Sequence, residues 1–164
     1  MYFLGKRALF KAVTGALLRK YGTYPVDNDG RSYRAFLWAR EHLNRDQAVA
    51  FFPEARRNPD GMQKAGLGVA LVALRTQAPI LPVGITGTER LGAMWRIAFP
   101  VGEVTVRIGQ PFTLPDIQGH LERPQLQSLA DMVMQRVAAL LPEAYRGVYG
   151  LTPTEERTVF GAGA

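Results

Sequence analysis

Two adjacent arginines, Arg56 and Arg57, stand in a polar loop that follows an apolar stretch at residues 48–52. Paired guanidinium groups can hold a phosphate through charge-assisted, two-pronged hydrogen bonds. Glu54 is close enough in sequence to orient one of the two guanidiniums. The pattern therefore predicts a phosphate site. The alternative is a surface loop whose internal ion pair contributes at most about 1 kcal/mol.

The charge balance of the whole chain points to an anionic partner. The net charge is +6 over 164 residues, and this suits nucleic acid, a membrane surface or a phosphorylated substrate. Nucleic acid is disfavoured, because the aromatic residues are scattered and no recognised nucleic-acid module is present. The chain has no cysteine, which excludes disulfides and thiolate metal sites. No apolar run approaches the roughly 20 residues that cross a bilayer.

Helical and strand patterns alternate along the chain, which predicts an α/β domain with a mixed, largely parallel sheet flanked by helices. The expected domain covers residues 1–150, and residues 151–164 form a tail. The strand before the arginine loop would deliver that loop to the carboxyl edge of the sheet, where open α/β folds bind their ligands. Helices are predicted at 1–21, 32–44, 64–77 and 125–141, and strands at 24–26, 48–52, 80–86, 94–99 and 103–108.

Three of these segments carry a more specific expectation. Residues 1–21 are basic and amphipathic, as in a membrane-surface helix or a targeting peptide, but a domain helix is preferred because a turn at Gly22 and a strand follow directly. The strand at 80–86 is apolar enough to be central. The strand at 103–108 alternates, which predicts one wet face carrying Thr105 and Arg107.

Residues 52–57 (Phe-Pro-Glu-Ala-Arg-Arg) resemble the Phe-Pro-Glu-Gly-Thr-Arg block of the phospholipid/glycerol acyltransferase family, which includes 1-acylglycerol-3-phosphate acyltransferases. Four further segments resemble blocks of that family in the same order along the chain. They are residues 6–10 (Lys-Arg-Ala-Leu-Phe), 22–27 (Gly-Thr-Tyr-Pro-Val-Asp), 64–66 (Lys-Ala-Gly) and 81–87 (Leu-Pro-Val-Gly-Ile-Thr-Gly).

The resemblance implies a phosphate site in which Arg57 grips the acceptor's phosphate and Glu54 supports it, with Arg56 in the same loop. It also implies that Lys6 lies near that phosphate. The implied fold is that of the glycerol-phosphate acyltransferases. The implied activity is an acyl transfer in phospholipid biosynthesis, from acyl-CoA or acyl carrier protein to lysophosphatidic acid or a related glycerol phosphate. The resemblance implies no cofactor or metal. It does imply a cytoplasmic location with peripheral membrane association.

The sequence departs from the family at its first block, His-x-x-x-x-Asp, which supplies the general base and its partner. The chain has two histidines, His42 and His120, and glutamine stands five residues after each of them. His42 falls after the second block rather than before it, so we interpret it as a helix-surface residue and His120 as a loop residue. Asp46 could pair with His42 one helical turn on. No catalytic residue is assigned.

Smaller departures fall within the other blocks. In the arginine loop, Ala55 and Arg56 replace the family's Gly and Thr, and in the second block Asn28 replaces Arg. The missing first block lies, in the family, shortly before the segment where this chain begins. The simplest expectation is a truncation that removes the N-terminal part of the fold and leaves the enzyme impaired or inactive. The alternative is a non-catalytic module that binds lipid phosphate on the same fold.

Overall fold

The computed structural model describes residues 1–26, 33–54, 61–91, 103–117 and 119–150. By their internal contacts these residues form two compact units. The described part of the first unit comprises residues 1–26, 33–54, 65–79, 113–117 and 119–130, and that of the second comprises 61–64, 80–91, 103–112 and 131–150. The single domain over residues 1–150 stays a prediction, and the expected tail at 151–164 lies outside the described residues.

A three-stranded parallel sheet organises the first unit. The strand β1 (Tyr2–Lys6) lies in the middle, with β2 (Thr23–Val26) on one side and β3 (Val49–Ala50) on the other. Lys6 is opposite Val26, and Phe3 is opposite Ala50. Because all the strands run the same way, their carboxyl ends meet at one edge of the sheet. The predicted parallel α/β arrangement is confirmed.

The sequence predicts one helix over residues 1–21, and this prediction is wrong. After β1 the chain makes a 3-10 turn at Arg7–Leu9, and only then begins the helix α1 (Ala12–Lys20). A short apolar run such as Tyr2–Leu4 has no periodicity that distinguishes a strand from a helix. Pairing with strands on both sides decides the outcome, and these three residues are half-buried there.

Two helices pack together beside this sheet. Helix α2 (Tyr33–Leu43) buries Ala35 and Ala39, close to the prediction of 32–44. Helix α3 (Gly68–Thr76) buries Val69, Ala70, Val72 and Ala73, which confirms a core helix. It begins four residues later than predicted and ends at Gln77, which adopts a left-handed backbone with φ of 50°.

The second unit contains an antiparallel ribbon of β4 (Val83–Thr86) and β5 (Thr105–Ile108). Within the described residues β4 pairs only with β5, so the predicted central position of this strand is wrong there. The predicted strand at 94–99 lies outside the described residues.

The exposed face of the ribbon differs from the expected one. Val83 pairs with Ile108 and Ile85 with Val106, and all four side chains are between 37% and 66% exposed. The opposite face of β4 is the packed one, because Pro82 and Gly84 are buried there. A Cβ on Gly84 would come within 3.0 Å of Leu140 and Leu141. The apolar residues Val106 and Ile108 of β5 are therefore exposed to solvent, and the exposed side of this strand is not limited to Thr105 and Arg107.

Helix α4 (Arg123–Ala138) matches the predicted amphipathic helix, with Leu129, Ala130, Val133, Met134 and Ala138 buried. A short helix α5 (Glu143–Arg146) and a 3-10 turn at Gly147–Tyr149 follow. They were not predicted, because four residues are too few to show a helical period. None of the helices within the described ranges is long and apolar enough to cross a membrane.

Candidate functional site

The carboxyl edge of the β2–β1–β3 sheet is where the sequence places the phosphate site. The strand β1 ends there at Lys6, which is opposite Val26 at the end of β2. The Lys6 side chain is exposed, so its ammonium group can meet a soluble or membrane-borne anion. The strand β3 ends at the same edge and leads into the loop that begins at Phe51.

The start of this loop is fixed by a backbone hydrogen bond. The N–H of Gly66 donates to the carbonyl of Pro53 at 3.0 Å, and the side chain of Gln127 donates to the carbonyl of Ala65 at 3.1 Å. The bond from Gly66 to Pro53 joins two of the family-like blocks, the one at 52–57 and the one at 64–66. Glu54 is half-buried next to Pro53, whereas Phe52 is 66% exposed.

Of the four predicted site residues, Lys6 ends β1, and Glu54 lies in the loop that leaves the carboxyl end of β3, whose last residue Ala50 is opposite Phe3. Arg56 and Arg57 lie outside the described residues, so the arginine clamp stays a prediction. The same holds for Asn28, which was expected to weaken the acceptor site.

His42 lies at the other end of the sheet. Its ring stacks on Tyr2, the first residue of β1, with the ring centroids 4.0 Å apart. Tyr2 and Lys6 are four residues apart on an extended strand, or about 13 Å. His42 therefore lies near the amino end of β1, about 13 Å from its carboxyl end.

The environment of His42 corrects one part of its interpretation. It lies on α2 as predicted, but its ring is half-buried rather than on the helix surface. Its Nδ1–H donates to Oε1 of Gln47 at 2.6 Å, so this nitrogen pairs with the glutamine rather than with Asp46. His120 is exposed in a loop, as expected.

The fourth family-like block has a structural role, as its residue types suggest. Gly87 has a φ of +87°, and a Cβ there would collide with the carbonyl oxygen of Glu103. Only glycine fits such a position without strain. Elsewhere in the described parts of the chain, no three His, Asp or Glu side chains lie close enough to hold a metal ion.

A concave surface beside β2 was not anticipated from the sequence. We call it the arginine groove: a cavity of about 470 Å³ whose lining comprises three arginines (Arg7, Arg19 and Arg34), four rings (Tyr2, Tyr24, Trp38 and His42) and residues 22, 23 and 25. The three arginines are separated by 12 and 15 residues and belong to different elements. No local pattern joins them, and the only sequence signal is the net charge of +6.

Comparison with known proteins gives two matches. The Acyltransferase family model matches residues 1–86. The crystal structure of the 1-acyl-sn-glycerophosphate (LPA) acyltransferase PlsC from Thermotoga maritima is similar at 25% identity and a TM-score of 0.55. That likeness covers 80% of this chain and 53% of the PlsC chain, so this chain spans about half the length of that relative. The sequence matches no curated protein.

The residues that match the family model contain the elements that form the carboxyl edge. Residues 1–86 include all three strands of the parallel sheet, Lys6 at the end of β1 and the loop that begins at Phe51. The match covers more than half of the 164 residues. The chain belongs to the acyltransferase family.

Proposed function

We propose that this chain is a glycerolipid acyltransferase domain whose carboxyl edge binds the phosphate of its acceptor. The acceptor is lysophosphatidic acid or a related glycerol phosphate, and the acyl donor is acyl-CoA or acyl carrier protein. One observation carries the proposal: three parallel strands bring Lys6 and the loop containing Glu54 to the same edge of the sheet.

Charge and apolar surface occur together at this edge, as a lipid phosphate requires. Lys6 is exposed and positive, and the sequence adds Arg56 and Arg57, two and three residues beyond Glu54. Phe52, two residues before Glu54 in the chain, exposes two thirds of its surface. An ammonium group and a guanidinium pair would hold the phosphate, while the phenyl ring would meet the start of the acyl chain. We extend the proposal to peripheral attachment at a membrane surface.

The transfer itself requires a proton acceptor. The acceptor's hydroxyl attacks the thioester carbonyl, and a general base must take its proton, since an alcohol is a weak nucleophile near neutral pH. His42 is at the far end of β1, and His120 is in an exposed loop. We therefore propose that Lys6, Glu54, Arg56 and Arg57 serve in acceptor binding. We expect transfer by this chain on its own to be slow or absent.

A second candidate function follows from the same observation about His42. With neither histidine available as a base, the domain would be a module that binds lipid phosphate without turning it over. The two candidates share the carboxyl edge and differ only in whether an acyl group is transferred.

An assay with acyl-CoA and lysophosphatidic acid separates the two candidates. Turnover that is lost in Arg57→Ala and kept in Arg75→Ala supports the enzyme, since Arg75 is an exposed arginine in the last turn of α3. Saturable lysophosphatidic acid binding without turnover supports the module. Neither turnover nor binding, together with salt-sensitive binding to duplex DNA, would contradict both.

A further inference from the structure

The end of the arginine loop is held by backbone contacts within the second unit. Gly61 and Met62 are the first described residues after the loop, four and five positions beyond Arg57. The N–H of Met62 donates to the carbonyl of Tyr145 at 2.9 Å, and the carbonyl of Met62 accepts from the N–H of Val148 at 3.0 Å. The Met62 side chain is buried. Both polar groups of the Met62 backbone are therefore satisfied by one short segment of the chain.

A glycine on each side makes this contact possible. Gly61 has a φ of +96° and Gly147 a φ of +50°, in the left-handed region that favours glycine. A Cβ on Gly61 would lie 2.9 Å from the nitrogen of Gly147. A Cβ on Gly147 would collide with the carbonyl oxygen of Met62 and lie 2.6 Å from its nitrogen. The two backbones are thus too close together for a side chain at either position.

The segment that holds Met62 is itself fixed by side-chain hydrogen bonds. The Tyr145 hydroxyl donates at 2.7 Å to Glu89, which lies just after the fourth family-like block. Tyr149 is buried, and its hydroxyl donates at 2.8 Å to Asp131 in α4. The end of the arginine loop is therefore attached to a well-packed part of the second unit.

Arg57 is only a few residues from this point of attachment. An extended chain covers at most about 3.6 Å per residue, so four residues place the Cα atoms of Arg57 and Gly61 within about 14 Å of each other. A fixed Gly61 consequently limits the positions that Arg57 can take. A side chain with fewer accessible positions loses less entropy when it binds a ligand. Holding the loop end should therefore strengthen the binding of a phosphate by Arg57.

We propose that Gly147 is a positioning residue for the phosphate site, because it permits the contact that holds Met62 and thereby restricts Arg57. This inference rests on the proposed function, since it takes Arg57 as the group that binds the acceptor's phosphate. Gly147 has no side chain with which to bind a ligand, and it is 90 residues from Arg57 in the sequence. Its contribution is the close approach of its backbone to that of Met62.

The first test is the affinity for lysophosphatidic acid, below its aggregation concentration, of Gly147→Ala and two matched controls. Gly119 has a φ of +98°, but a Cβ there would meet nothing within 4 Å, so Gly119→Ala carries the backbone strain without the collision. Gly150 ends the same turn as Gly147 with a φ of −55°, and its Cβ would make an ordinary contact at 3.6 Å. We expect binding weakened about three- to tenfold in Gly147→Ala and less than about twofold in both controls. Equal affinities in all three variants would overturn the proposal.

A double-mutant cycle separates positioning from a general loss of structure. If Gly147 acts through Arg57, adding Gly147→Ala to Arg57→Ala should change the remaining affinity by less than about twofold. A further loss as large as that in the original chain would contradict the positioning role. Should Gly147→Ala not fold, Gly61→Ala replaces it, because it disturbs the same contact from the loop side with a milder clash. An unchanged affinity in Gly61→Ala would then refute the proposal.

Amide hydrogen exchange tests the attachment without a ligand. In Gly147→Ala the N–H of Met62, which donates to Tyr145, should exchange about tenfold faster or more, while those of Val133 and Met134 in α4 keep their rates. An unchanged rate at Met62, or equal acceleration at all three amides, would overturn the proposal. Absence of lysophosphatidic acid binding in the original chain would contradict the proposed function and the positioning role together. Equal binding by the original chain and Gly147→Ala would contradict the positioning role alone.

Discussion

Tyr2 and His42 stack face to face, with their ring centroids 4.0 Å apart and their planes inclined by 22°. The pair joins the first residue of β1 to the last turn of α2. Trp38 closes the cluster, since its ring meets that of Tyr2 edge-on at 5.8 Å. His42 is thereby a packing residue that fixes α2 against the amino end of the central strand.

Replacing His42 should destabilise the fold, and the loss should be larger when the ring is removed than when another ring takes its place. His42→Ala removes both the stack and the hydrogen bond to Gln47, and we expect it to lower the free energy of unfolding by about 1–2 kcal/mol. His42→Phe keeps a ring of similar shape and should cost less. Urea denaturation of the two variants measures the difference. An alanine variant as stable as the original chain would show that the stack contributes nothing.

The same residue gives a prediction about chemistry. Because His42 is at the far end of β1 from Lys6, His42→Phe should change any acyl transfer by less than about threefold, well below the loss expected for a general base. The rate with acyl-CoA and lysophosphatidic acid is the measurement. A loss of about a hundredfold or more, in a variant that remains folded, would make His42 a catalytic base after all.

Gly87 and Gly68 form a matched pair of glycines. At Gly87, the φ of +87° and the nearby carbonyl of Glu103 exclude a Cβ, so Gly87→Ala should lower the free energy of unfolding by about 2 kcal/mol or more. At Gly68, in the first position of α3, a Cβ would meet nothing within 4 Å. Gly68→Ala should therefore be neutral or stabilising by up to about 1 kcal/mol. Thermal melts of both variants, and their order, check this prediction.

Two tyrosines near the end of the described chain differ in burial. Tyr149 is only 7% exposed and its hydroxyl donates to Asp131 at 2.8 Å, whereas Tyr145 donates to Glu89 at 2.7 Å in an exposed position. Tyr149→Phe should cost about 1–2 kcal/mol, because it leaves a half-buried carboxylate oxygen with one donor fewer. Tyr145→Phe should cost less than about 0.5 kcal/mol, since water replaces the lost donor. Equal costs in denaturant titrations would contradict this ranking.

The sequence predicted the strand that precedes the arginine loop, β3, because its signals are local. An apolar stretch followed by proline predicts a strand that ends, and parallel strands end at one edge. The family-like blocks at 52–57 and 64–66 follow each other along the chain as they do in the family. In the structure, the hydrogen bond from Gly66 to Pro53 joins these two blocks. The α3 core helix was predictable for the same reason, because its apolar residues are close together in sequence.

Features that depend on distant pairing were not predictable. Residues 2–6 form the middle strand only because β2 and β3 flank them, and nothing within those five residues requires it. The outward face of the β4–β5 ribbon depends on Leu140 and Leu141 packing against Gly84. The arginine groove likewise depends on three elements that meet in space and are dispersed in the sequence.

The most direct test of the proposed function is the binding of lysophosphatidic acid, below its aggregation concentration, to the original chain, to Arg57→Ala and to Arg75→Ala. We expect saturable binding that is weakened about tenfold or more in Arg57→Ala, since a guanidinium that holds the phosphate is lost. Arg75→Ala removes the same charge from the exposed end of α3 and should bind like the original chain. Equal affinity in the original chain and in Arg57→Ala would contradict the proposed phosphate site.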